Sequence, residues 1–243
     1  MGKEKLQRID KVLAASGYGS RKEVKKLIKE GQVYVNGHLV NDAGFQVNPF
    51  VDEITVAGQK LKYHENIYIM MNKPEGVISS TRDAKDITVI DLLEGEYSHR
   101  NLFPVGRLDK DAQGLILLTD DGKLAHRLLS PKNRVEKTYY VEVDGKLDDS
   151  DIKAFAEGIP LEDFTTLPAK LDILESGDIS SCYVTICEGK FHQIKRMMKA
   201  RGKEVIFLKR LSIGGLKLDE DLSPGSWREL TEDEISLLDT SIH

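Results

Sequence analysis

The chain has 243 residues, 40% of them hydrophobic and 31% charged, with a formal net charge of −5. That length and composition suit one large or two modest globular domains with a sizeable core. The longest purely apolar run beside an interesting site, Ile67–Met71, falls far short of the ~18 residues of a membrane span, and the polar, charged N-terminus leads us to expect no secretory signal.

The charge is unevenly spread. Residues 1–62 carry 11 Lys/Arg and 7 Asp/Glu, a balance of +4, which leaves −9 for the remainder. A small basic module attached to an acidic body is the expected arrangement. Leu6, Ile9 and Leu13 recur at helical spacing, and Gly17-Tyr18-Gly19 stops that helix. Ser20 with Glu23 is a capping-box signature for a second one. There Val24, Leu27 and Ile28 form an apolar stripe, while Lys22, Lys25, Lys26 and Lys29 share the opposite face. Gly31 ends the helix. Val33-Tyr34-Val35 and His38-Leu39-Val40 then flank Asn36-Gly37, a strong hairpin signal, and a second hairpin is expected around Ala57-Gly58-Gln59.

A lysine stripe is usually just a solvated face. Here Arg21 precedes it and no acid lies opposite at the same spacing, so a surface that tracks phosphates is an equal alternative. The order Arg8-Ile9-Asp10-Lys11, Ser20-Arg21, Leu27-Ile28, Gly31, Val33 and Val35-Asn36-Gly37 resembles the S4 RNA-binding domain over about the first sixty residues. The resemblance implies a module that binds structured RNA without chemistry of its own, with Arg8, Arg21, Lys22, Lys25, Lys26 and Lys29 as RNA contacts.

Lys62-Tyr63-His64-Glu65 reads as a linker, giving expected domains of residues 1–62 and 63–243. Ile67–Met71 is a buried strand ended by Asn72-Lys73-Pro74-Glu75-Gly76, and Val89–Leu93 a short helix. Phe103-Pro104 leads into a charged loop, Gly106-Arg107-Leu108-Asp109-Lys110-Asp111-Ala112-Gln113-Gly114, whose glycines permit sharp turns. The loop feeds the apolar run Leu115–Thr119, short enough for a buried strand, and the turn Asp120-Asp121-Gly122. Leu124, Leu128 and Leu129 fit a helix stopped by Pro131. Lys137–Val143 alternates, with Thr138, Tyr140 and Glu142 on one side and Lys137, Tyr139, Val141 and Val143 on the other.

Residues 142–178 hold eleven acids against three bases and read as a solvated surface turned away from any RNA. Tyr183–Cys187 is another strand. Cys182 and Cys187 fall on opposite faces of it, beyond disulfide reach, as free thiols of a reducing cytosol. Glu188-Gly189-Lys190-Phe191 turns into a helix with Ile194, Met197 and Met198 towards the core and His192, Lys195, Arg196 and Lys199 on the other side. Gly202 ends it, Glu204–Lys209 returns as a strand, and Thr231 with Glu234 caps a terminal helix. Strands outnumber helices in no strict βαβ order, so the expected class is α+β with a mixed, mainly antiparallel sheet.

Motifs for phosphate loops, dinucleotides and a serine nucleophile elbow are missing from the sequence, and Cys and His are too scattered for a zinc site. A lone His192 or His126 is more often structural. What remains is a loop aspartate, a strand tyrosine and a basic helix face. A carboxylate can attack an electrophilic carbon or steady an oxocarbenium-like centre during cleavage of a glycosidic bond. A nearby cation keeps it ionised, and an aromatic ring can stack on a base drawn out of its helix. Paired acids Asp109 and Asp111 also fit a sugar-active hydrolase, although a basic N-terminal module has no role there. A non-catalytic RNA-binding or ribosome-assembly factor is the other alternative.

Gly106-Arg107-Leu108-Asp109 with Gly114–Gly122, Asn72–Gly76, Glu136-Lys137-Thr138-Tyr139, and Glu188-Gly189-Lys190-Phe191-His192-Gln193-Ile194-Lys195-Arg196-Met197 resemble, in order, the signatures of the RsuA-type pseudouridine synthases. The match runs along essentially the whole chain. It implies an S4 domain followed by a pseudouridine synthase domain, with Asp109 as the nucleophile that isomerises a uridine in ribosomal RNA. Tyr139 is then expected to stack on the target base and assist proton removal from C5, Lys195 to be the basic partner of Asp109, and Arg107 to hold the space of the flipped-out nucleotide. Arg196 joins the RNA contacts, and Asp111 is left as a loop acid. No cofactor or metal is implied. Expected partners are ribosomal RNA or a pre-ribosomal particle, without a membrane, for a cytoplasmic monomer. His192–Met197 resembles the small-subunit (16S) member more than its large-subunit (23S) relatives, and no long basic tail follows. One letter departs: Ala112 stands where the family usually has Thr, a lost hydroxyl that is expected to loosen a loop hydrogen bond by roughly 1 kcal/mol.

Overall fold

The computed structural model of the protein describes residues 6–240; the first five residues, on which the reading of the N-terminus partly rests, lie outside that range. The chain divides into two compact units. One runs to Asn66 and also takes in Gly95–Asn101; the other comprises Ile67–Glu94 and the chain from Leu102 onward.

In the smaller unit β1 (Gln7–Arg8) pairs with β4 (Gln46–Val47), so the chain is still extended where the sequence pattern suggests helix. The first helix, α1 (Ile9–Ala15), therefore begins after Leu6, which is left exposed. The second, α2 (Arg21–Lys29), has the full capping box between Ser20 and Glu23. β2 (Val33–Val35) and β3 (His38–Leu39) enclose Asn36-Gly37, while β5 (Ile54–Val56) and β6 (Gln59–Lys60) enclose Ala57-Gly58. Both two-residue loops have positive φ throughout, as primed turns require. Ile9, Val12, Leu13, Val24 and Ile28 from the helices close over Val33, Val35, Ile54 and Val56 to make the core. Tyr63, expected in a linker, packs edge-on against Phe50 and accepts a hydrogen bond from Gln7.

The larger unit is built on one sheet. Its strands are β7 (Tyr68–Lys73), β8 (Phe103–Pro104), β9 (Gln113–Thr119), β10 (Lys137–Asp144), β11 (Lys170–Glu175), β12 (Ile179–Ile186), β13 (Glu204–Ile213), β14 (Leu216–Lys217) and β15 (Trp227–Glu229). Their order is β11-β12-β10-β13-β9-β7-β15, with β14 on β13 and β8 on β9. Every pairing is antiparallel except β13 with β9, which are parallel through Lys209↔Gln113 and Arg210↔Gly114. The α+β class with a mixed, mainly antiparallel sheet is thus what the chain adopts.

That parallel step divides the sheet into two halves with separate cores. Helices α4 (Asp149–Glu157) and α5 (Gln193–Ala200) cover the β10–β12 half, burying Phe155, Ile194, Met197 and Met198 against Val141, Val143, Cys182 and Val184. Helices α3 (Gly122–Leu129) and α6 (Glu232–Thr240) cover the β7–β9 half, where Leu115, Leu117, Leu124, Leu128 and Met70 meet. β10 alternates buried and half-buried residues as its sequence predicts. β7 and β9 are buried on both faces after their first residue, which explains the apolar runs Ile69–Met71 and Leu115–Leu118 within them. Both cysteines are free.

The acidic segment is less uniform than its composition suggests. Asp151 is fully buried, bonded by Arg201 Nε at 2.8 Å and Lys203 Nζ at 3.0 Å. Burial alone would raise its pKa, but these two cations and the Asp148 N–H hold it below the usual carboxylate range. Asp163, from the same segment, pairs with Arg196. The expectation of a wholly solvated surface is corrected at Asp151, which is buried, while Asp163 remains exposed although paired.

Gly114, opposite Arg210, lies on the parallel step that joins the two halves. Its φ is +101°, and a Cβ there would lie 2.3 Å from the Arg210 carbonyl oxygen and 2.7 Å from the Arg210 nitrogen. Neither atom belongs to a flexible side chain, so the strands must separate to admit a methyl group. Gly114→Ala is expected to cost about 3 kcal/mol or more of stability, read as a large fall in the urea midpoint. An unchanged midpoint would contradict so close an approach.

Candidate active site

Asp109 lies in the loop between β8 and β9, and the loop is fastened from below. Lys73, at the end of β7, is fully buried and directs its ammonium at three carbonyls: Ala112 at 2.7 Å, Pro74 at 2.9 Å and Lys110 at 3.3 Å. The Gly76 N–H donates to the Lys110 carbonyl at 2.8 Å, and Ser79 Oγ exchanges hydrogen bonds with the backbone of Leu108 at 3.0 Å. The Ala112 N–H donates to the Asp109 carbonyl at 3.1 Å, which closes a turn around the acid. Thus the segment after β7 grips the loop through its backbone, leaving the Asp109 side chain free to point outward.

The sheet register brings the distant partners to it. Lys73 stands opposite Gly114, Gly114 opposite Arg210, and Arg210 opposite Tyr139, in one row across β7, β9, β13 and β10. The absence of a side chain at Gly114 lets the row close up. Arg210 is buried and donates from Nε to the Leu115 carbonyl at 2.8 Å, holding the first residues of β9 beside it.

A cleft of about 60 Å³ opens above this row, lined among others by Arg107, Asp109, Ala112, Tyr139, Lys190, His192 and Lys195. Lys195, on the first turn of α5, places Nζ 3.3 Å from Asp109 Oδ2. Its shorter contacts go to Asp111, at 2.6 and 2.8 Å to the two carboxylate oxygens. Asp111 is therefore more than a loop acid: it shares the lysine with Asp109, and the hydrogen bond from Lys195 is the main cause holding its carboxyl below the usual range against burial. His192 Nε2 lies 3.5 Å from Asp109 Oδ1. His192 is the residue before α5 rather than part of its face, and its φ of 49° turns the ring towards the loop. Tyr139 is buried among the core group that includes Leu108, Ala112 and Ile194, and its remaining exposed surface lies on the cleft. Arg107 is exposed at the edge.

The other candidates are dispersed. Arg196 is not on the cleft; its guanidinium is held by Asp163 and lies 5.3 Å above the Phe164 ring, which Lys190 also overlies at 5.1 Å. In the smaller unit Lys22, Lys25, Lys26 and Lys29 line a cavity of about 850 Å³ beside α2. An acid does approach that stripe, because Glu30 lies 3.7 Å from Lys26. Arg21 opens α2, outside the residues that line the cavity. Arg8 makes a two-pronged bond to the buried Asp10 carboxylate at 2.9 and 3.0 Å, which fixes part of its guanidinium within the unit.

Sequence reasoning gave no role to Lys73 or Ser79, weighed Asp111 only as a paired acid of a hydrolase before leaving it as a loop acid, and took His192 as more often structural. Lys73 carried one usable signal, a charged residue closing a mostly apolar strand. The others depend on loop packing that spacing does not encode.

Comparison with known proteins places the chain in a family. The profile of the RNA pseudouridylate synthase family matches residues 67–200, and that of the S4 domain matches residues 7–52. An uncharacterized RNA pseudouridine synthase of Bacillus subtilis is 51% identical, over 95% of this chain and 98% of its own. The ribosomal small subunit pseudouridine synthase A of Escherichia coli is 38% identical, covering 94% and 98% of the two chains. The ribosomal large subunit pseudouridine synthase B of Bacillus subtilis is 39% identical, covering 96% of each. A crystal structure of a pseudouridylate synthase superposes with a TM-score of 0.67 at 39% identity, covering 95% of this chain and 99% of that one.

Burial pushes the Lys73 ammonium down from 10.5 to about 8, against the pull of Asp111, Asp109 and Glu75. Between those values the unfolded chain binds a proton that the folded chain has shed. The stability due to this group therefore grows as pH rises from about 8 towards 10.5 and is lost as pH falls back. In urea titrations at roughly pH 7, 9 and 10.5, the wild type is expected to gain on Lys73→Met by about 2–3 kcal/mol across the window. A difference that stays constant with pH would show that Lys73 does not titrate there.

Proposed function

The chain belongs to the RNA pseudouridylate synthase family, and we propose that it converts a uridine of ribosomal RNA, in 16S rather than 23S, to pseudouridine with Asp109 as the nucleophile. The observation that carries this reading is the convergence of Asp109, Tyr139 and Lys195 on one cleft from a loop, a strand and a helix. The run His192–Met197 supports the choice of 16S. Overall identity does not separate the two substrates, at 38% to the small-subunit relative and 39% to the large-subunit one.

An Asp109 carboxylate oxygen attacks C1′ as the N1–C1′ bond breaks, and the bonding pair leaves with the uracil ring. The base turns until C5 faces C1′, and the C5–C1′ bond forms as the Asp109 oxygen departs. C5 gives up its proton and N1 takes one, so the product is an isomer of the substrate. No electrons are gained or lost overall, and the reaction asks for no redox partner or small-molecule cofactor. Lys195 stabilises the ionised Asp109, while Asp111 holds the lysine in place. Tyr139 offers a ring face to the base, and its hydroxyl, without a hydrogen-bond partner among the described residues, is placed to help move the C5 proton. Arg107 occupies the space from which the nucleotide turns.

Residues 1–62 dock the RNA through Arg8, Arg21, Lys22, Lys25, Lys26 and Lys29, with Arg196 as a further contact, and residues 63–243 perform the chemistry. The protein acts as a monomer on ribosomal RNA or a pre-ribosomal particle in the cytoplasm.

Tritium release from 5-tritiated 16S and 23S rRNA transcripts tests both halves of this reading. The wild type is expected to release tritium from 16S, and Asp109→Ala to be slower by at least about 10⁴-fold. Release from 23S alone would reassign the substrate. Turnover by Asp109→Ala would remove the proposed nucleophile.

A further inference from the structure

We propose that Phe191 is a base-stacking residue, receiving an unpaired base of the RNA next to the target uridine at the mouth of the Asp109 cleft. The inference rests on the pseudouridine synthase reading of that cleft and adds to it a contact that sets how the substrate is held.

Phe191 is 72% exposed, more than any other large hydrophobic side chain among the described residues of the larger unit. Exposure alone means little, since isolated apolar residues are common on protein surfaces. The surroundings give it meaning. The Phe191 ring lies 3.8 Å from the His192 ring, centroid to centroid, and only 17° from parallel. His192 in turn reaches Asp109 at 3.5 Å. The pair therefore forms a planar aromatic stack that begins at the proposed nucleophile and ends in solvent.

Its direction is fixed by the backbone. His192 adopts a left-handed conformation with φ of 49°, uncommon for a residue with a side chain. Lys190, Lys195 and Arg107 line the cleft together with His192. Such a surface suits a nucleotide, with the phosphates drawn to the cations and the base laid on an uncharged ring. Tyr139 already occupies the inner cleft, so the base on Phe191 is a neighbour of the target rather than the target itself. Every base has a π-face, and the contact is expected to tolerate any base.

Single-turnover tritium release from 5-tritiated 16S rRNA, titrated with excess full-length enzyme, separates the half-saturating concentration from the maximal rate. Phe191→Ala is expected to raise the half-saturating concentration about tenfold and leave the maximal rate within about twofold. Phe191→Trp and Phe191→Tyr should restore wild-type behaviour. Phe191→Leu, apolar but without a ring, should resemble Phe191→Ala. The Phe191→Ala effect should also persist as salt is raised, whereas the effect of Lys190→Ala should shrink, because phosphate contacts release counterions and stacking does not. The proposal is overturned if Phe191→Leu behaves as wild type, or if Phe191→Ala lowers the maximal rate with an unchanged half-saturating concentration, which would place the ring's effect on His192 instead. Absence of tritium release by the wild type from both 16S and 23S would instead defeat the underlying functional reading.

Discussion

A buried ammonium facing backbone carbonyls is the contact on which the geometry of this site depends. Lys73 holds the carbonyls of Pro74, Lys110 and Ala112 together, so the chain just after β7 and the loop before β9 share one anchor. Removing such a group leaves buried acceptors without donors, a larger penalty than the net worth of any one hydrogen bond. The anchor matters because the loop itself has almost no side chains in the core: Leu108 and Ala112 are buried, while Arg107, Lys110 and Asp111 face outward. A loop tied through its backbone can hold the half-buried Asp109 carboxylate at a fixed height. From Lys73 the same row crosses Gly114 and Arg210 to Tyr139, so sheet pairing sets the separation between the loop and the ring.

The charges around Asp109 are arranged to leave it usable. Lys195 binds Asp111 more closely than Asp109, at 2.6 against 3.3 Å. A single cation bonded tightly to a nucleophile would stabilise its resting state and blunt its attack. Shared between two acids, the lysine supports the charge of Asp109 at a longer distance while Asp111 takes its shortest bonds. The Lys195–Asp111 pair is partly exposed and worth at most about 1 kcal/mol to stability, so its consequence is positional. Asp163 and Phe164 act similarly on Arg196, holding that guanidinium off the cleft, while its neighbour Lys195 reaches Asp109.

Much of the fold was legible because short-range chemistry determined it. The Ser20–Glu23 capping box, the Asn36-Gly37 turn, the alternation of β10 and the apolar runs within β7 and β9 all depend on neighbouring residues, and all formed. The first helix was placed too early because Gln7 and Arg8 are claimed by a strand almost forty residues away. Helix α4 and strand β11 were hidden within an acidic segment whose composition looks solvated, although Phe155 and Leu171 reach the core and Asp151 is buried by cations fifty residues downstream. At the site, Asp109, Tyr139 and Lys195 could be named from a family resemblance. Their meeting could not be derived from spacing, because it depends on the parallel step between β9 and β13 and on the missing side chain at Gly114.

Ala112 shows where side-chain identity ceases to matter in the loop. Its side chain is fully buried within the apolar group that includes Leu108, Tyr139 and Ile194, a setting in which a methyl needs no partner. Its carbonyl accepts from Lys73 at 2.7 Å and its N–H donates to Asp109 at 3.1 Å, and both bonds are available to any residue with this backbone. A threonine hydroxyl at the same place would have to find an acceptor of its own or lose hydration without one. The loop is thus held at this position by backbone bonds that any residue at 112 can make. The two backbone bonds keep Asp109 in register with Tyr139 whether position 112 is polar or not.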